Sequence, residues 1–160
     1  MPEHLHPQSV LNSAAYLFFI ALLLLSCGMG RHPGAGTLPL TLEALYAQCG
    51  LPAACDARPA CDGRQATIAA QLDPANIFDR EHYPQLPYEK FKLIDGRGRS
   101  VEVWPQAADN RPIFEKLASR PSDRLVVHGR LAAVKMPIMG TCKQGIKVLI
   151  DAADQIEFQE

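Results

Sequence analysis

The sequence predicts a mainly β domain: five strands, one helix between the third and fourth, and a short leading helix fastened by disulfides. Three observations carry this expectation. Apolar residues alternate with a period of two in five separate stretches after Arg64, as half-buried strands do. One stretch, around Ile113, switches to helical spacing. Four cysteines, Cys49, Cys55, Cys61 and Cys142, flank or enclose the β-rich part in an even number that two cross-links would use up.

Taken in order, Thr41 to Gly50 reads as a short helix. Thr41 can cap its first amides, Leu42, Leu45 and Tyr46 share one face, and Gly50 can close it in the left-handed conformation. So short a helix does not hold alone in water, so it must dock, with Cys49 as its staple. Leu51 to Gly63 carries two prolines and two cysteines and reads as an irregular loop. In the first strand Ile68, Ala70 and Leu72 alternate with Thr67, Ala69 and Gln71, and Asp73-Pro74 is expected to stop it. A long loop through Phe78, His82 and Tyr83 follows, ordered by its prolines. A hairpin comes next, from Tyr88 to Ile94, over Asp95-Gly96-Arg97-Gly98, and back from Ser100 to Trp104.

Asp109 or Asn110 caps the second helix, with Pro112 at its start and Ile113, Phe114 and Leu117 as its apolar stripe. Arg120-Pro121 ends it. Leu125 to Met136 reads as a long strand in which Gly129 suits a bend or bulge. Met139 to Gly145 is expected to turn the chain, and Ile146, Val148 and Ile150 form the fifth strand. Ile156 and Phe158 extend it past an irregular stretch at Asp151 to Asp154.

This β-β-β-α-β-β order resembles that of the OB-fold, a small five-stranded barrel with a helix between its third and fourth strands. The alternative is an unrelated α+β sheet. The resemblance implies that the first and fourth strands run antiparallel, which brings the start of the first near the end of the fourth. Cys142 is then expected to bond to Cys61 or Cys55, with Cys49 taking whichever is left. Metal binding by these cysteines is disfavoured, because C-x5-C-x5-C lacks the C-x2-C chelate of structural zinc. No haem-attachment site or cofactor fingerprint is present either.

The address is written at the other end of the chain. Ala14 to Leu25 is a run of twelve residues without a charge, the length of a secretory signal's apolar core and short of the roughly 20 that span a bilayer. It closes on Leu24-Leu25-Ser26-Cys27, which resembles the lipobox of bacterial lipoproteins. That resemblance implies a signal peptide over residues 1–26 and an acylated Cys27 as the mature N-terminus. Residues 27–40, rich in Gly and Pro, then form a flexible tether to a single domain over 41–160. The membrane is thus a partner through Cys27. Gly28, standing where an aspartate favours inner-membrane retention in some bacteria, implies an outer-membrane anchor facing the periplasm. The competing expectation is an uncleaved anchor with an incidental cysteine. Export into an oxidising compartment agrees with disulfides.

All sixteen Lys and Arg, and all the acids but Glu3, follow the leader, so the mature chain is formally neutral. Neutrality argues against general nucleic-acid binding, whose affinity comes largely from neutralised phosphates. The catalytic inventory is thin: His82 and His128 lie in no recognisable motif, and the cysteines serve best as staples. Binding has more support. Tyr88, Lys90 and Lys92 are expected to face outward on the second strand, Trp104 on the third and Arg130 on the fourth, an alternation of basic and aromatic residues that suits a stacking platform. An OB-fold would offer such a face to oligonucleotides or oligosaccharides. The plainer expectation is that Trp104 covers one end of the barrel and the lysines form a solvated face. The chain is therefore expected to be a membrane-anchored, non-enzymatic binding or scaffold module without cofactor. A single-stranded nucleic-acid or oligosaccharide binder and an envelope thiol enzyme are the alternatives.

Overall fold

The computed structural model describes residues 38–51, 55–121, 123–138 and 141–159. The expected signal peptide, Cys27 and the tether as far as residue 37 lie outside the described residues. In chain order the elements are α1 (Leu42–Cys49), β1 (Gln65–Phe78), β2 (Lys90–Ile94), β3 (Ser100–Pro105), α2 (Arg111–Ser119), β4 (Arg124–Ile138), β5 (Thr141–Ile150), a single 3-10 turn (Ala153–Gln155) and β6 (Ile156–Phe158). Together the strands make one mixed six-stranded sheet in the order β1-β2-β3-β5-β4-β6. A further β1–β4 pairing closes five of them into a ring.

Two long strands make the closure possible, each changing partner partway along. β1 pairs antiparallel with β4 from Gln65 to Gln71, then with β2 from Gln71 to Phe78. β4 pairs with β1 up to Arg130 and with β5 from Arg130 onward. The remaining joint, β3 with β5, is the one parallel pair, matching Val103 to Val148 and Trp104 to Leu149. Inside the ring one row runs Phe91, Val103, Val148, Leu131 across β2, β3, β5 and β4, and every member is buried. Ile68, Leu72, Leu93, Val101, Leu125, Val127 and Ile150 extend this core, and Ile113, Phe114 and Leu117 of α2 pack on it.

The short α1 behaves as its sequence dictates. The Thr41 side chain accepts from the Ala44 amide, and Gly50 closes the helix at φ 54°. Leu42 and Leu45 are buried, the Tyr46 hydroxyl donates to the Ser100 carbonyl at 2.6 Å, and Cys49 is bonded to Cys61. The second disulfide joins Cys55 to Cys142, so of the two pairings left open for Cys142 the chain uses the one with Cys55. The folded unit also reaches back further than expected: Leu40, assigned to the tether, bridges Ile68 in parallel through backbone hydrogen bonds with Thr67 and Ala69 along the edge of β1.

Three boundaries differ from expectation. Asp73-Pro74 does not stop β1; it becomes an irregularity between Leu72 and Ile77, after which pairing with β2 resumes. Pro74 has no amide to give the ladder, and the Asp73 carboxylate takes up the Ala75 amide and the Asn76 side chain instead, so the break stays local. The stretch read as a turn from Met139 to Gly145 is largely strand, since β5 begins at Thr141 and Gly145 sits opposite Val134. The sheet also has six strands where five were expected, because Ile156 to Phe158 pair with Leu125 to Val127 of β4 as a separate β6. On α2, Asn110 is the capping residue, yet its side chain makes no cap hydrogen bond; its amide donates instead to Glu89 at 2.8 Å.

Candidate functional face

Strand pairing decides which side chains share the outside of the ring. In one outer row Lys92 on β2 lies opposite Glu102 on β3, which is matched to Lys147 on β5 and then Ala132 on β4. In the next, Trp104 on β3 is matched to Leu149 on β5 and that to Arg130 on β4. Tyr88 and Lys90, just before and at the start of β2, close over the Trp104 end of this surface. The parallel β3–β5 joint therefore sets a basic and aromatic patch across three strands.

Glu102 is its centre. One carboxylate oxygen accepts from Lys90 Nζ at 2.7 Å, and the other accepts from the Trp104 indole Nε1 at 2.9 Å. Partial burial opposes ionisation of Glu102, but the hydrogen bonds from Lys90 and Trp104 outweigh it and hold its carboxyl below the usual carboxylate range. The indole is thereby fixed in orientation. Tyr88 packs against it with ring centroids 5.3 Å apart and planes tilted by 36°. Lys90 Nζ sits among three rings, 5.1 Å from Tyr88, 5.6 Å from Phe78 and 5.7 Å from Trp104. Lys147 Nζ lies over Trp104 at 3.9 Å from the ring centroid. Such contacts contribute roughly 0.5–1 kcal/mol when exposed and about 2 when desolvated.

Of the residues expected to form a binding face, Tyr88, Lys90 and Trp104 come together directly. Lys92 faces Glu102 across the β2–β3 ladder. Arg130 is exposed two strands from Trp104, with Leu149 between them. Around Trp104 stand Tyr88, Lys90, Glu102 and Lys147. Phe78, Glu102 and Lys147 were missed by sequence reasoning. Lys147 alternates with buried Ile146 and Val148, which shows that it points outward, but nothing local to β5 says that β3 is its neighbour.

A second, more acidic cleft of about 330 Å³ lies between the β1–β2 loop and α2, lined among others by Asp79, His82, Glu89, Asp109 and Glu115. Its carboxylates are largely spent on holding the loop. Glu89 accepts from the Arg80 amide and from Asn110, and Asp79 accepts from the His82 amide and ring at 2.8 and 2.9 Å. The hydrogen bond and charge of Asp79 raise the His82 pKa above its ordinary value near 6.5. Partial burial works against ionisation of Asp79, but its bonds to His82 prevail and lower its pKa. The His82 contribution is therefore complete below about 6.5 and fades as pH rises through the raised value; that of Asp79 fades only in acid. NMR titration of His82 is expected to give a midpoint above about 6.5 that Asp79→Asn returns to normal. An unshifted midpoint in the unaltered chain would refute the pair. His128 is half-buried on β4, 2.9 Å from Thr67 Oγ1 and 3.4 Å from Glu157. Among the described residues no group of three or more His, Cys, Asp or Glu is arranged to hold a metal ion.

Comparison of the chain with protein-family models and with curated proteins finds no match in either.

Proposed function

We propose that this chain is a lipid-anchored, exported binding module with an OB-fold-like domain, and that it binds an extended ligand across the outer face of β2, β3 and β5. The order of pairing supports the fold reading. A ring closed as β1-β2-β3-β5-β4, with β3 and β5 parallel and a helix between β3 and β4, has the connectivity of a five-stranded OB barrel. The two disulfides agree with an oxidising compartment. The anchor itself rests on Leu24-Leu25-Ser26-Cys27, outside the described residues.

The single observation that carries the binding reading is the indole of Trp104, half-exposed on that face and pinned through Glu102 beside Lys90, Lys147 and the Tyr88 ring. A fixed aromatic plate beside cations offers a ligand both stacking and charge. Trp104 is the chain's one tryptophan, so its emission reports on this face alone. With the whole chain in detergent, oligosaccharides and oligonucleotides are titrated while tryptophan emission is followed; at least one class is expected to shift it saturably, and Trp104→Ala, which leaves no tryptophan to follow, is expected to show no binding by calorimetry. If no member of either class does so, the reading falls. Labelling with a lipid precursor, followed by mass analysis of the N-terminus, tests the anchor; a retained Met1 with no acyl mass on Cys27 refutes it.

A further inference from the structure

We infer that the ligand of this face is an acidic oligosaccharide, and that Lys147 is the residue that selects for its charge. The inference rests on the binding reading above and deepens it. The cations on the face are not equivalent. Lys90 is spent: its side chain is only 19% exposed, paired with Glu102 and enclosed by three rings. Lys147 has no carboxylate partner among the described residues and rests on the indole instead.

That resting place has two consequences. An uncharged sugar that stacked on the covered side of Trp104 would have to displace the ammonium and offer it nothing in return. An anionic ligand offers the ammonium a stronger partner than the ring, so the lysine moves to the anion and the indole is uncovered in the same event. Lys92 lies in the same row two strands away, about 10 Å at ordinary strand spacing, and exposed Arg130 continues the positive surface along β4. A linear ligand with anions set apart along its length meets these groups in turn. Glu102 favours a glycan over a nucleic acid. A carboxylate in the middle of the face accepts hydrogen bonds from sugar hydroxyls, which every residue of an acidic glycan still carries, whereas a DNA strand gives it few donors.

The experiment uses the whole chain in detergent, with Trp104 emission as readout. The probes are an oligogalacturonate, an uncharged cello-oligosaccharide of equal length, and oligothymidylate. The oligogalacturonate is expected to bind tightest, with affinity falling as salt rises. Lys147→Gln is expected to weaken it roughly tenfold or more, toward the level of the uncharged probe, while Lys147→Arg largely preserves it. Unchanged thermal melting of both variants excludes misfolding as the cause. Equal binding of the charged and uncharged oligosaccharides, or indifference to Lys147→Gln, overturns the inference and leaves the face a binding site. Tighter binding of oligothymidylate overturns it in favour of nucleic acid. Silence of all three probes overturns the inference, and with it the binding reading if the wider survey of ligands is silent too.

Discussion

Gly129→Ala is expected to destabilise the domain by about 3 kcal/mol or more and to lower its melting temperature by roughly 10 °C. A methyl group there would meet Val148 Cγ1 at 2.5 Å, the Leu149 carbonyl oxygen at 2.7 Å and Ile150 Cγ2 at 3.0 Å. The first and last of these are side-chain atoms that could turn. The middle one is backbone, and it belongs to a stretch of β5 hydrogen-bonded to β4 on one side and β3 on the other. Easing the contact therefore means parting β4 from β5, where Arg130 pairs with Leu149 and buried Leu131 with buried Val148. Gly145→Ala is the matched control on β5. Its added methyl would meet only the flexible end of Met136, at 3.2 Å, so its effect is expected to stay within about 1 kcal/mol. Thermal melting of the two variants decides the matter: equal losses, or a Gly129→Ala domain that melts with the unaltered one, would show that the close approach of β4 to β5 does not constrain the fold.

That glycine marks the border of what the sequence makes legible. Period-two alternation locates every strand of the ring, and helical spacing locates both helices, because burial on one face is a local property of the chain. Gly129 stands out in the same way, as a residue without a side chain inside a strand. What lies opposite it is a matter of pairing, and pairing between distant strands leaves no local trace. For the same reason Trp104, Tyr88 and Lys90 are readable as one outer face, since a single hairpin carries them, whereas Lys147 reaches Trp104 only through the β3–β5 joint. Turn-rich composition misleads in the opposite direction. Asp73-Pro74 and Gly145 signal breaks, yet neighbouring strands hold both in the sheet at the cost of one irregularity. The cysteines are a middle case. Antiparallel pairing of β1 with β4 narrows the partner of Cys142 to two, and only the course of the loop from Leu51 to Gly63 decides between them.

The two disulfides are expected to yield separately, in an order set by burial, and the first to go is the costlier one in chain entropy. Cys49 and Cys61 are buried where α1 meets the core, while Cys55 and Cys142 are only half-buried where the loop crosses β5. Thiolate attack needs access to sulfur, so mild reductant is expected to open Cys55–Cys142 while Cys49–Cys61 survives until the domain unfolds. The open bond spans a sequence separation of 87, against 12 for the other. In the chain-entropy account the long loop is worth roughly 4–5 kcal/mol and the short one about 3. A Cys55→Ser/Cys142→Ser double variant is thus expected to lose most of a typical domain's 5–15 kcal/mol margin at the low end of that range. It keeps its native sheet in the cold, because Gln144 still donates to Ala57 and the ladders of β5 are intact. Cys49→Ser/Cys61→Ser loses less entropy but puts two hydroxyls into an apolar site and frees α1, so it fails differently, by undocking the helix before the sheet melts. Stepwise alkylation with peptide mapping reads the order of reduction, and melting of the two double variants reads the energies. Simultaneous loss of both bonds under mild reductant, or an unaltered melting temperature for Cys55→Ser/Cys142→Ser, would remove the distinction between a surface clamp and a core staple.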